Sequence, residues 1–385
     1  MSRIKIIRII TRMNVGGPSK HVINLTKGLE HYGFETHLIS GQPSKDEGDM
    51  FEQAANKNIP VTIIRSMNRA ISPLNDLISL IKIIKEIKKF SPDIIHTHTS
   101  KAGFLGRIAA MVCGVKQIYH TYHGHVFKGY FSKINTALVI AIERILSSFT
   151  TNLITLTPNQ ANEINRLIRP RNSHKIVTIP LGLDLNKNLT TPRNLNKWRT
   201  SMGFSQNDFV IGIIGRLVPI KNHELIIESM NQLCKTNPFI HLAIVGDGEL
   251  TNKLRLKVKE LNLENNIHFC GINKNVEEIY SDLDLLVLCS KNEGTPVVII
   301  EALASGCPVA STKVGGVEEV LDFGRLGSLL SLEPDSFTQE LTKAIKDIKE
   351  NKFKEYPSLE TRKYICNKFS VDKLNENIAK LYRRK

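Results

Sequence analysis

No run of eighteen consecutive apolar residues occurs in the 385-residue chain, so the sequence offers no segment suited to crossing a bilayer as a helix. The opening Met1-Ser-Arg-Ile-Lys-Ile-Ile-Arg-Ile-Ile10 is interrupted by charge and followed by no cleavage site. It reads as a first strand and not as a secretory leader. Cysteine is sparse: six residues (113, 234, 270, 289, 307 and 366), none in a Cys-x-x-Cys pair, several inside apolar runs. That excludes a disulfide framework and a zinc ribbon, and fits reduced core thiols in a cytosolic protein. Aromatics make up 6% of residues, are not interleaved with basic residues, and include one Trp. A nucleic-acid surface built on stacking is therefore not expected. No complete Gly-x-Gly-x-x-Gly follows a strand, which argues against a dinucleotide oxidoreductase. Internal repeats and low-complexity tracts are also missing.

Charge is plentiful but uneven. Residues 1–190 carry 25 Lys+Arg against 12 Asp+Glu, residues 191–361 carry 19 against 23, and residues 362–385 carry 8 against 2. A basic first half and tail call for an anionic partner. With nucleic acid set aside, an anionic membrane surface is the expected one, which makes the protein cytoplasmic and peripheral on the inner face of the cell membrane.

The length suits two domains. Strand-like runs at Ile4–Ile10, Thr36–Ser40, Val61–Ile64, Asp93–His98, Gln117–His123, Asn152–Thr157 and Lys175–Ile179 alternate with helix-like segments such as Pro73–Phe90. Residues 186–195 are polar and turn-rich and read as a linker, after which the alternation resumes from Phe209 to about Leu330. Alternation of this kind predicts α/β architecture with doubly wound parallel sheets and ligands at the carboxyl ends of strands.

Three strand-to-helix junctions in the second half carry chemistry. In Gly212-Ile-Ile-Gly215-Arg216-Leu-Val-Pro-Ile-Lys221, two cations fall in one loop and suit a diphosphate, Arg as a bidentate fork and Lys as a mobile charge. In Val245-Gly246-Asp247-Gly248-Glu249, glycines leave room for a ligand against the backbone. In Glu293-Gly-Thr-Pro-Val-Val-Ile-Ile-Glu301, two carboxylates flank a helix start, with Thr295 the expected N-cap and Pro296 the first helical residue. Helix starts present N–H groups that suit phosphate, and a carboxylate a turn and a half inside can hold a sugar diol. Taken singly, each of these also reads as an ordinary solvated loop.

Taken in order, Gly-Arg…Lys, Gly-Asp-Gly-Glu and Glu-x7-Glu followed by Ala302-Leu-Ala-Ser-Gly306 resemble the retaining nucleotide-sugar glycosyltransferases of the GT-B fold, family 4, of the bacterial surface-polysaccharide type. The resemblance implies two Rossmann-like domains facing a cleft. An acceptor domain would comprise 1–185 plus 365–385, and a donor domain 196–364, with the final helix Val371–Tyr382 crossing back to the first. It implies that Arg216 and Lys221 bind the donor diphosphate and that Glu301 holds the ribose. Glu293 with Gly294, Thr295, Pro296 and Val297 would hold the transferred sugar. Gly248, Glu249, Gly271 and Ile272 would lie near the base, where backbone contacts favour uracil, and the Gly16-Gly17 loop would reach donor phosphate.

Five of twelve histidines fall at His96, His98, His120, His123 and His125. A metal site is not expected from them, since no neighbouring carboxylate or Cys completes a ligand set. The resemblance places His123 of Thr121-Tyr-His-Gly124 against the transferred sugar, with His120 and His125 its nearest rivals in register. Thr99-Ser-Lys-Ala-Gly-Phe-Leu-Gly-Arg107 resembles enzymes acting on polysaccharide precursors, making Lys101, Arg107 and His125 candidates for the acceptor. Asp282-Leu-Asp284 is an Asp-x-Asp, but it precedes an apolar strand and is read as structural. The expected activity is retaining, metal-independent hexosyl or N-acetylhexosaminyl transfer from a nucleotide sugar, by expectation a UDP-sugar, to a glycan acceptor that is polyprenyl-diphosphate-linked. No cofactor is required. Alternatives are a soluble acceptor on the same fold and a non-catalytic nucleotide-binding module.

Overall fold

A computed structural model of the chain describes residues 3–44, 48–124, 133–170, 173–273, 275–350 and 357–384. It divides into two compact units, Met1–Leu183 with Phe369–Lys385, and Asp184–Lys368. Both are α/β units built on one parallel sheet, so the expected pair of doubly wound Rossmann-like domains is what the chain forms.

Unit 1 carries β1 (Ile4–Ile10), β2 (Phe34–Ser40), β3 (Val61–Ile63), β4 (Ile94–His98), β5 (Gln117–Thr121), β6 (Asn152–Thr155) and β7 (Ile176–Thr178) in the order β3-β2-β1-β4-β5-β6-β7. Ile6, Ile7, Ile9 and Ile10 are essentially buried, as parallel strands covered on both faces require. β5 is shorter than expected. Tyr122 N–H still donates to Ile154 O at 2.9 Å, and the chain then leaves the sheet, so His123 stands in the following loop. The late segment rejoins this unit where Leu183 N–H donates to Phe369 O at 2.7 Å. Ser370 Oγ caps the helix Val371–Arg383 by accepting from Lys373 N–H at 3.0 Å. Leu374, Ile378, Leu381 and Tyr382 of that helix share one core with Ile6, Leu25, Phe34 and Ile154.

Unit 2 carries β8 (Phe209–Ile214), β9 (Ile240–Val245), β10 (Ile267–Gly271), β11 (Leu285–Leu288), β12 (Val309–Thr312) and β13 (Ser328–Leu330) in the order β10-β9-β8-β11-β12-β13. The winding direction reverses between β8 and β11, which places the ligand crevice of such a sheet at their carboxyl ends. Residues 186–195, expected as a linker, belong to this unit and begin with a helix, Asn186–Thr190. Two of their polar side chains are anchored: Asn188 Nδ2 donates to Ser305 Oγ at 2.8 Å, and Arg193 Nη1 donates to Tyr280 O at 2.6 Å. These bonds tie the segment to unit 2. The Asp-x-Asp is likewise structural. Asp282 accepts from the N–H groups of Asn196 and Trp198 at 2.7 and 2.9 Å, while Asp284 accepts from Val210 N–H at 2.7 Å and pairs with Arg199.

Candidate active site

The loops after β8 and β11 leave the two central strands of unit 2 side by side. After β8, Gly215 N–H donates to Val245 O at 2.9 Å, Arg216 is exposed, and Leu217 is fully buried as the loop's anchor. A short 3-10 turn, Pro219–Lys221, leads through Asn222 (φ 55°) into the helix His223–Thr236. The glycines after β9 have a different task from the one expected. A Cβ on Gly246 (φ 138°) would lie 1.9 Å from Gly215 O, and one on Gly248 would lie 2.5 Å from Leu217 O. Leu217 N–H donates to Asp247 O and Leu250 N–H to Leu217 O, each at 3.0 Å. These glycines let two loops of the protein meet backbone to backbone, and their ligand-facing role is secondary to that packing. Glu249, Gly271 (φ 64°) and Ile272 are exposed beside them.

After β11, Glu293 is drawn back into the frame. Lys221 Nζ lies 2.6 Å from Glu293 Oε1, and Ser290 Oγ donates to the same oxygen at 2.6 Å. Lys291 N–H donates to Ile220 O at 2.9 Å, tying the two loops together a second time. The helix spans Val297–Ser305, with Pro296 (φ −75°, ψ 99°) in the extended N-cap position. Thr295 is therefore not the cap: the turn continues one residue further than expected, and its Oγ1 is buried with no hydrogen-bond partner. Glu301 Oε2 accepts from Tyr280 Oη at 3.0 Å. Burial first, and then the Glu301 carboxylate, hold that phenol well above its usual range, so it remains a donor. Neither Ser290 nor Tyr280 was found from the sequence. Tyr280 lies 21 residues before Glu301 on a separate helix, Val276–Asp282, and no local motif marks the pairing.

In unit 1 the histidines separate into two kinds. His96 bonds Tyr382 Oη at 2.6 Å and Thr121 Oγ1 at 2.7 Å, and His120 bonds Thr97 Oγ1 at 2.8 Å, so both are satisfied core residues. His123 is partly exposed and shares a hydrogen with His98 across 3.0 Å between its Nε2 and His98 Nδ1. Burial pushes its imidazole down to about 4. A third ring, His21 on the helix Gly17–Gly28, stands 4.9 Å from that of His123. His125 lies outside the described residues. The Gly16-Gly17 turn opens the helix that carries His21, with Lys20 N–H donating to Gly16 O at 3.2 Å.

The acceptor candidates are placed less simply. Lys101 Nζ pairs with Asp76 at 2.6 Å and also donates to Ala70 O. Arg107 is 1% exposed, donating to Glu143 at 2.6 Å and to Gly103 O at 2.7 Å, while Tyr122 Oη donates to the other Glu143 oxygen at 2.8 Å. Its guanidinium points into the core, where a charge persists only if paired, so it is a packing element and not an acceptor contact.

Comparison with known proteins fits this geometry. Residues 15–187 match the family described as Glycosyltransferase Family 4, and residues 195–363 match Glycosyl transferases group 1. The chain is 30% identical over 385 residues to an Escherichia coli protein named UDP-Gal:alpha-D-GlcNAc-diphosphoundecaprenol alpha-1,3-galactosyltransferase, covering 99% of this chain and 97% of that one. The chain belongs to this glycosyltransferase family. It is also 25% identical over 377 residues to the N-acetyl-alpha-D-glucosaminyl L-malate synthase of Bacillus anthracis, covering 96% and 94% of the two chains. Among solved structures, Anabaena HepE in complex with UDP superposes with a TM-score of 0.83 at 23% identity, over 98% of this chain and 99% of that one. That likeness shows the shared GT-B fold of this glycosyltransferase.

Proposed function

We propose that this glycosyltransferase moves a hexosyl or N-acetylhexosaminyl group from a UDP-sugar to a polyprenyl-diphosphate-linked glycan, with retention, during surface-polysaccharide assembly. The observation that carries the reading is the convergence of Arg216, Lys221, Glu293 and Glu301 on the loops and helix that follow β8 and β11, at the sheet's reversal point. The Escherichia coli relative, named for a UDP-sugar donor and a diphosphoundecaprenol-linked acceptor, supports the choice of substrates.

In this reading Arg216 and Lys221 neutralise the diphosphate and stabilise the charge that develops as it departs, without needing a metal. Glu301, oriented by Tyr280, accepts from the ribose hydroxyls. Glu293 and the backbone of Gly294–Val297 hold the transferred sugar. Within unit 1, His123 is assigned to sugar binding and Gly16-Gly17 to phosphate binding. Gly248, Glu249, Gly271 and Ile272 border the base. The bond from the anomeric carbon to the phosphate oxygen breaks with its electron pair going to UDP. The acceptor oxygen forms its bond on the same face, and its proton passes to the departing phosphate.

A membrane-borne acceptor also explains a surface of unit 1. On the helix Pro73–Phe90, Leu74, Leu77, Ile78 and Ile81 form an exposed stripe at helical spacing, and Lys82, Lys85, Lys88 and Lys89 are exposed beyond it. An apolar stripe flanked by lysines suits an anionic bilayer surface. No helix among the described residues is long and apolar enough to cross a membrane. A second reading, a soluble acceptor, draws on the Bacillus anthracis relative, whose name gives L-malate as the acceptor.

The test is radiolabelled transfer from a panel of UDP-sugars to polyprenyl-diphosphate-GlcNAc and to small hydroxy acids. Transfer to the lipid-linked acceptor, lost in folded Lys221→Ala and Glu301→Ala, is expected. Transfer confined to the soluble acceptors selects the second reading, and undiminished transfer by either variant refutes the donor site.

A further inference from the structure

We propose that His21, His98 and His123 form a site for one transition-metal ion of the zinc class, and that the ion acts as a reversible inhibitor of transfer.

The three residues come from separate elements: the helix Gly17–Gly28, the carboxyl end of β4, and the loop after β5. Each offers one ring nitrogen, and the three nitrogens lie within 4.8 Å of one another. Two nitrogens bound to one tetrahedral ion at ~2.05 Å are about 3.3 Å apart. The contact between His98 Nδ1 and His123 Nε2, at 3.0 Å, is already close to that spacing. The remaining adjustment is an approach by His21 of at most about 1.5 Å on the same geometry.

A second observation is independent of that spacing. Neither ring nitrogen of His21 has a hydrogen-bond partner, although the residue is only 2% exposed. Leaving such a group unpaired forfeits its hydration with nothing in return, so a buried imidazole with two unpartnered nitrogens calls for a ligand. On the neighbouring strands of the same sheet, His96 and His120 are both bonded.

The donor set selects the ion. Imidazole nitrogens favour zinc, copper or nickel over calcium and magnesium, which take oxygen. Each ring binds a metal through the lone pair of its neutral form, the ordinary form of imidazole at pH 7 and above. Binding requires the hydrogen now shared by His98 and His123 to move to the second nitrogen of the ring that carries it; the three ligands stay neutral. Three protein ligands leave one position open, as in non-structural zinc sites. The buried Arg8 guanidinium acts on His21 and His98 with like sign to a metal cation. It weakens the site, which is why the ion would come and go and not stay as a fixed part of the fold.

Inhibition follows because an ion on His123 takes that ring away from the transferred sugar. This consequence rests on the functional reading above; the site itself does not. The experiment uses the tag-free, metal-stripped full chain titrated with Co2+. One equivalent should bind with visible d–d bands and no thiolate charge transfer, which excludes the six cysteines. His21→Leu and His98→Leu should each abolish the spectrum. His241→Ala, which breaks the separate His241–His268 pair of unit 2, should leave it intact. His21→Leu replaces an imidazole with no bonded nitrogen, so its melting temperature should be equal to or above that of the wild type, which separates ligand loss from unfolding. Absence of one-equivalent binding to folded wild-type protein overturns the proposal, as does a spectrum that survives both leucine variants. One equivalent of Zn2+ should slow transfer at least tenfold in wild type and leave His21→Leu unaffected. Binding without any slowing would keep the site and refute the inhibitory role together with the sugar contact assigned to His123.

Discussion

Replacing Glu293 by Gln should pull UDP affinity and sugar transfer in opposite directions. Lys221 Nζ sits 2.6 Å from Glu293 Oε1, with their side chains 23% and 11% exposed. A diphosphate that recruits Lys221 must share it with a carboxylate already in place. Two unit charges 4 Å apart interact by about 4 kcal/mol at an effective dielectric near 20. Partial exposure and the ordering of two side chains reduce the net figure to about 1–2 kcal/mol. Gln keeps the shape and an oxygen for Ser290 but removes the competing charge, so UDP should bind about five- to thirtyfold more tightly on that figure. Transfer from the UDP-sugar should meanwhile fall by about a hundredfold, the scale set by loss of a group that positions a substrate. Calorimetric titration with UDP, repeated from low to high salt, measures the first effect, which should shrink as salt screens the exposed side of the pair. Initial rates at saturating donor measure the second. Weaker UDP binding by a variant with an unchanged melting temperature would refute the competition argument. Wild-type turnover would remove Glu293 from the sugar site.

Tyr280→Phe should weaken UDP binding about three- to tenfold, through loss of the 3.0 Å hydrogen bond that orients Glu301. A 2′,3′-dideoxy analogue of UDP should bind the variant and the wild type equally, and a loss of affinity for both ligands would contradict the ribose role. Arg107→Met should cost about 3–5 kcal/mol in urea unfolding, because Glu143 is left buried without its partner. An unchanged stability with a raised acceptor KM would instead restore Arg107 as an acceptor contact. Acid should weaken unit 1: burial lowers His21, His96, His98, His120 and, to about 4, His123. The unfolded chain then takes up more protons than the folded one below the ordinary value of 6.5, so the stability present above 6.5 is lost as pH falls toward about 4. Calorimetric melting at pH 7, 6 and 5 should show a falling midpoint, and a flat profile would contradict the burial of these rings. Ile81→Glu should reduce cosedimentation with phosphatidylglycerol vesicles severalfold while leaving UDP affinity unchanged; undiminished binding would move the membrane contact elsewhere.

Much of the scaffold was written locally. β1 is an isoleucine-rich run broken only by Lys5 and Arg8, and the helix after Glu293 stops at Ser305, before Gly306, although it starts one residue later than its sequence suggests. The ordered junctions around Arg216, Gly246 and Glu293 were legible for the same reason, since each sits where a strand ends. What escaped were pairings made only in three dimensions. Nothing near Lys221 announces that Glu293, 72 residues on, binds it, or that Tyr280 aligns Glu301. His21 gave no signal beside the dense histidine segment because a lone histidine on an amphipathic helix looks like any other. Arg107 was misjudged because its partner, Glu143, lies 36 residues away in a different helix, and a charge near a helix start reads as solvated until that partner is known. Residues 186–195 read as a tether for a similar reason, since the partners of Asn188 and Arg193, Ser305 and Tyr280, lie far along the chain.

The closing segment of unit 1 has a consequence for how the protein is made. Phe369–Lys385 is translated only after the 185 residues of Asp184–Lys368. At about 5–20 residues per second, that leaves a gap of about 10 to 40 s. Through this interval the nascent first unit lacks Leu374, Ile378, Leu381 and Tyr382, and the apolar surface of Ile6, Leu25 and Phe34 has nothing to cover it. Unit 1 waits for its closing segment through the whole synthesis of unit 2. The first part synthesised is thus the last part finished, and the waiting surface is where a chaperone would be needed.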